Sequence, residues 1–183
     1  MQTRWVKLFS GAALLAFTLT ACSKDKDEVV NEEELITTVI LNFQEVGGVD
    51  AFIVEFRDPD GEGGNPPTAF SDITLKPDAN YSCNITMLNE SVNPAESITD
   101  EIEEEADDHE LFLIPSGANI DITRVDLDSK NLPVGLSSTW ATGNASTGTV
   151  RVVLKHKPGS KAAGDAVTKG ETDIDLNFTA KVQ

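Results

Sequence analysis

Asp173-Ile174-Asp175-Leu176-Asn177-Phe178-Thr179-Ala180-Lys181-Val182 alternates between apolar and polar residues without a break. Successive side chains of an extended chain point to opposite faces, so Ile174, Leu176, Phe178, Ala180 and Val182 line one face and the polar residues line the other. That is a strand with one dry and one wet face. The same period of two recurs upstream. Leu35, Thr37, Val39, Leu41 and Phe43 share a face, as do Phe52, Val54 and Phe56, then Tyr81, Cys83, Ile85 and Met87, then Val150, Val152, Leu154 and His156. Further strands are expected within Glu110–Ile114, Ile120–Asp126 and Gly135–Thr142, separated by Pro, Gly, Asn and Ser clusters. Many short strands punctuated in this way predict a single β-sandwich with a mostly β fold.

Leu75-Lys76-Pro77-Asp78-Ala79-Asn80-Tyr81-Ser82-Cys83-Asn84-Ile85 resembles the tyrosine-corner stretch of fibronectin type III and related Ig-like sandwiches. The resemblance implies that the Tyr81 hydroxyl bonds to backbone upstream of it. One short acidic helix is expected inside the sandwich. Asn93 is placed to cap it, Pro94 to open it and Glu96 to follow at the third position. It should run to about Asp108, with Ile98, Ile102 and Ala106 as its apolar stripe. The remainder is strongly acidic, including Glu103, Glu104 and Asp107. Acids at a helix C-terminus oppose its dipole, so the last turn should fray unless a Lys, an ion or a partner supplies positive charge there.

The N-terminus carries an address. Arg4 and Lys7 precede an apolar run from Leu8 to Leu19 and then Leu19-Thr20-Ala21-Cys22, the layout of a removable export signal. The apolar run is shorter than the roughly 20 residues that a membrane span needs. The segment resembles the lipobox of bacterial lipoproteins, which implies cleavage before Cys22 and acylation of its thiol. The domains are then residues 1–21 as signal peptide, 22–34 as acylated cysteine and charged tether, and 35–183 as the sandwich. The charged run Ser23-Lys24-Asp25-Lys26-Asp27-Glu28 resembles surface-export signals of Bacteroidota-type lipoproteins, and is equally compatible with a solvated tether. Lipid anchoring to the outer membrane is the expected location, on the periplasmic or the cell-surface side.

The chain of 183 residues holds 31 Asp and Glu against 14 Lys and Arg; losing Arg4 and Lys7 lowers the formal charge from −17 to −19. Such a charge repels nucleic acid and attracts cations or basic surfaces. Cys83 is the one thiol left after Cys22 is acylated, so no disulfide can form within a mature chain.

Two metal readings follow from the residues. Asp58, Asp60 and Glu62 with Gly61 and Gly63 match the first half of an EF-hand calcium loop. The second half is absent, so ligands such as Asp126 and Asp128 would have to come from another loop; otherwise the segment is a Gly-rich turn. His109 and His156 both fall on apolar faces, and with Glu105 or Asp108 they would suit a transition metal, or hold a haem iron from both sides. No zincin pair, nucleophile elbow or phosphate-cradling loop is present, and Cys83 faces inward, where thiols are inert. A binding protein rather than an enzyme is expected. Its partners would be the membrane through the anchor and an outer-membrane transporter or other envelope protein. The alternative is a structural or interaction lipoprotein that presents Glu103, Glu104 and Asp107 to a basic partner.

Asp107-Asp108-His109, Asp58-Pro59-Asp60-Gly61, Pro133-Val134-Gly135-Leu136 and the run Thr142 to Gly148 together resemble small flavobacterial-type outer-membrane lipoproteins of poorly defined function. Members of that group sometimes carry the label of the type 1 periplasmic-binding fold. That fold needs two βαβ lobes, which this strand-rich chain does not supply.

Overall fold

A computed structural model describes residues 34–61 and 63–183. The segment expected to be an export signal and the expected acylation site Cys22 lie outside the described residues, and so does Glu62. The strands are β1 (Thr38–Glu45), β2 (Ala51–Arg57), β3 (Ala69–Phe70), β4 (Ile73–Leu75), β5 (Asn80–Asn89), β6 (Glu96–Ser97), β7 (His109–Ser116), β8 (Ile120–Arg124), β9 (Ser137–Thr142), β10 (Ser146–His156) and β11 (Glu171–Val182); the helix α1 spans Ile98–Glu104. They form a β-sandwich. One sheet has the order β3-β2-β1-β5-β9-β8, with β6 added to the end of β5, and the other has the order β4-β11-β10-β7.

The alternation seen in the sequence selects the inner faces. Val39, Leu41 and Phe43 of β1 and Cys83, Ile85 and Met87 of β5 meet Val150, Val152, Leu154, Phe178 and Ala180 from the opposite sheet, all at most 3% exposed. Each large apolar side chain buried in this way contributes about 1.5–3 kcal/mol. At one end Phe43 stacks on Phe52 at 5.1 Å and meets Trp140 edge-on at 5.0 Å. Tyr81 packs beside them, and its hydroxyl accepts the Lys76 N–H at 3.0 Å.

Three local expectations need correction. Leu35 does not continue the inward row of β1: it is half exposed while Ile36 is buried, because the regular strand begins only at Thr38. The helix starts later than the Asn93 cap implied. Glu96 and Ser97 first pair with Asn89 and Leu88, so the backbone is committed to the sheet, and Ser97 becomes the cap by accepting the Asp100 N–H. The helix also ends at Glu104, with Ile98 and Ile102 buried beneath it. Finally, β4 had no counterpart in the sequence reading. Its three residues run parallel to the end of β11 with Ile73 and Leu75 buried, and three residues are too few to show a period.

Candidate metal centre

The two histidines meet because of strand register. In the antiparallel pair β7–β10, His109 lies directly opposite His156. Their rings stack face to face, with centroids 4.5 Å apart and planes 6° from parallel. Glu105, which caps the C-terminus of α1, brings a third donor: one ligand atom from each of Glu105, His109 and His156 lies within 4.8 Å of the other two. Four residues separate Glu105 from His109, and the tight exit from the helix lets the Glu105 carbonyl accept both the His109 N–H and His109 Nδ1, each at 3.2 Å.

That second bond sets the chemistry of the ring. With Nδ1 donating to a carbonyl, the neutral imidazole keeps its lone pair on Nε2, and His109 Nε2 is buried with no hydrogen-bond partner. Burial holds the His109 pKa below its ordinary value; the nearby His156 adds to this, against the Glu105 carbonyl and the charges of Glu105 and Asp108. His156 Nδ1 is likewise buried without a partner. Two unpartnered ring nitrogens beside a carboxylate are a donor set for zinc or copper. On a tetrahedral zinc ion two ligand nitrogens stand about 3.3 Å apart, so loading requires the donors to draw together and one ring to tilt from the stack.

Haem fits this geometry poorly. A bis-histidine haem needs the porphyrin between two opposed nitrogens, whereas here the ring faces themselves are in contact.

More carboxylates gather at the same end. Burial pushes the Glu34 carboxyl up to about 7, helped by a hydrogen bond with the Glu101 side chain and by the charges of Glu101, Asp173 and Glu105. The cluster is therefore a like-charged group that favours an incoming cation.

A cation holds the turn that follows the helix end. Lys161 Nζ donates to the Ala106 carbonyl at 2.8 Å and stands 2.9 Å from Asp128 Oδ2, both side chains fully buried. This is the cation that the acidic last turn required. Behind the site, Lys157 Nζ, also fully buried, contacts Glu110 at 2.5 Å and sits 4.7 Å over the Phe112 ring, and Arg124 reaches the same Glu110 at 2.8 Å. Gly135 lets the loop after β8 pass this strand: a Cβ there would fall 2.3 Å from the Leu111 carbonyl. Nothing in the sequence marked Lys157 or Lys161 as buried, since a lysine in a polar segment has the pattern of a solvated residue.

Several candidate residues take other work. Asp108 does not join the histidines, because its Oδ1 accepts the Gly159 N–H at 2.8 Å. Asp107 is bound by Ser129 and approached by Lys130 at 3.5 Å, which removes it from the freely presented acidic face; Glu103 and Glu104 remain exposed. Asp126 and Asp128 do not complete a calcium site. Asp126 accepts the Gly135 and Leu136 N–H groups, and Asp128 accepts those of Lys130 and Leu132 besides pairing with Lys161. Asp60 accepts the backbone and side-chain N–H groups of Asn65, and its carboxyl also meets that of Asp58, while Glu62 lies outside the described residues. Cys83 is buried, and burial pushes its thiol up to about 12 against the opposing Ser138 hydroxyl.

Comparison with protein-family models, with curated proteins and with solved structures finds no match to this chain. Among the described residues no helix is long and apolar enough to cross a membrane.

Proposed function

We propose that this protein is a lipid-anchored lipoprotein of the cell envelope whose β-sandwich captures a divalent transition-metal ion at Glu105, His109 and His156, as a binding accessory rather than an enzyme. The anchor rests on the lipobox-like Cys22 segment. The capture site rests on one observation: register brings two imidazoles together beside a carboxylate and leaves a buried nitrogen of each ring unpartnered. The acidic surroundings draw cations in, and the nitrogen donors select against calcium and magnesium, which prefer oxygen.

Titration with Cu²⁺, Zn²⁺ and Ni²⁺ tests this. Copper should bind tightest, following the general order of divalent affinities. Metal at 100 times its Kd should stabilise the fold by about 2.7 kcal/mol, reversed by chelator. His109→Phe and His156→Phe should each abolish the shift. Absence of a shift with all three ions would refute the capture site. The exposed Glu103 and Glu104 favour the second reading, docking of a basic envelope partner. Reversing both charges should then abolish low-salt co-purification of that partner while metal binding persists.

A further inference from the structure

A cleft of about 710 Å³ opens between the start of the described chain, the turn after β2 and the first half of β11. Its volume falls in the range of small-molecule sites. Ile36 and Phe56 supply apolar wall, and Glu34, Asp58, Asp173 and Asp175 supply carboxylates; among the described residues no Lys, Arg or His lines it. Asp175 at the rim is already paired with Arg151 at 2.6 Å. Asp58 is different. It is only 8% exposed, and its Oδ1 is buried with no hydrogen-bond partner, while burial and the adjoining Asp60 carboxyl push its pKa up, so a cation between the two acids would relieve both. A buried carboxylate oxygen left unmatched is costly, and the sequence places it there through the Asp58–Gly61 turn, closed by the Gly61 N–H to the Asp58 carbonyl at 3.1 Å.

A group that satisfies this cleft must carry positive charge and N–H donors, and must also cover apolar wall. A bare calcium ion meets the first need alone. It would want six to eight converging oxygens, whereas Asp58 and Asp60 bring two carboxyls together here and Asp60 also accepts from Asn65. We propose that the cleft binds an alkylammonium group, an apolar stem ending in a protonated amine, with Asp58 receiving the ammonium beside Asp60. Glu34 adds negative charge above pH 7. The shared chemistry covers a free aliphatic amine and the side chain of a lysine in a peptide. The cleft uses neither imidazole, although Glu34 also feels the charge of Glu105 at the histidine site.

Calorimetric titration and amide chemical-shift mapping of the full chain with hexylamine test the assignment, with 1-hexanol, calcium and a blocked lysine tripeptide as the other arms. Hexylamine should shift the amides of Phe56, Asp58, Ile174 and Leu176 and bind at least about tenfold more tightly than hexanol, the usual advantage of a charge-assisted hydrogen bond. Asp58→Asn should weaken it about tenfold, and Glu34→Gln and added salt should each weaken it further. Stronger binding of hexylamine than of the tripeptide identifies a free amine as the ligand, and the reverse identifies a peptide lysine. Binding should survive in the His109→Phe/His156→Phe double variant, so failure of metal capture and failure of this site are separately visible. Equal binding of hexanol, or displacement of hexylamine by millimolar calcium, overturns the proposal. If Asp58→Asn does not fold, insensitivity of the wild-type affinity to both salt and Glu34→Gln overturns it equally.

Discussion

Replacing Lys161 by Met removes the ammonium that meets the Ala106 carbonyl just beyond α1 and leaves Asp128 buried with its charge. Breaking a buried ion pair from one side typically costs about 3–5 kcal/mol. Asp128 retains the Lys130 and Leu132 N–H groups on Oδ1, each at 2.8 Å, which places the loss near the low end. The Ala106 carbonyl loses its 2.8 Å bond but sits at a partly exposed turn where water can replace the ammonium, adding about 1 kcal/mol or less. The sum is about 3–4 kcal/mol, a large share of the 5–15 kcal/mol that stabilises a typical domain. Urea unfolding followed by fluorescence of the buried Trp140 reads this as a lower midpoint at unchanged m-value. Lys161→Met/Asp128→Asn discards the stranded charge while the amide oxygen still accepts the two N–H groups, so it should recover about half of the loss. Copper or zinc affinity should fall in the single variant as well, because the helix end that carries Glu105 loosens. A loss below about 1 kcal/mol, or a double variant no more stable than the single one, would refute the account of how the helix is held.

The same logic predicts an asymmetry in the neighbouring network. Glu110→Leu strands the fully buried Lys157 with only Asp165 at 3.6 Å and should cost about 3–5 kcal/mol, whereas Lys157→Met leaves Glu110 paired with Arg124 and should cost about 1–3 kcal/mol; equal urea midpoints would contradict this. Glu34 predicts a pH dependence. Its folded pKa of about 7 lies above the ordinary 4.5, so the folded state holds an extra proton between those values, and the group's contribution is greatest below pH 4.5 and is lost as pH rises through 7. Discounted for partial solvent exposure, the change is about 1 kcal/mol. Subtracting the stability profile of Glu34→Gln from that of the wild type should isolate it from the opposite trend of His109, whose depressed pKa makes acid destabilising; a flat difference between pH 4.5 and 7 would contradict it.

Legibility of the site varied with the range of the interactions involved. His156 was visible as inward-facing from its strand's period. His109 read as the apolar side of a helix running to Asp108, whereas the helix ends at Glu104 and His109 opens β7; its inward face comes from the strand and not from the helix. Their convergence was not visible, since it depends on which strands pair and in what register. A slip of one residue between β7 and β10 would have turned one imidazole to the opposite face. Asp108 illustrates the converse. Its place beside His109 in sequence made it a natural ligand, yet the turn at Gly159 claims its carboxylate. The helix start was misjudged for a similar reason: local capping signals at Asn93 to Glu96 lost to the pairing of Glu96 and Ser97 with β5, a contact outside any local window.

Periodicity was enough to declare a strand-built sandwich with alternating inner and outer faces, while the summed charge and the N-terminal pattern gave the expectations of a chain that repels nucleic acid and carries an export signal. These follow from chain geometry and from summed charge, which need no knowledge of what lies across the core. Folding in three dimensions settled the rest: the order of strands, the burial of Lys157 and Lys161, the stacking of His109 on His156, and the cleft around Asp58. Each of those joins residues far apart along the chain, and the energy that decides them, the removal of charge and apolar surface from water at a particular place, exists only once the partners have been brought together.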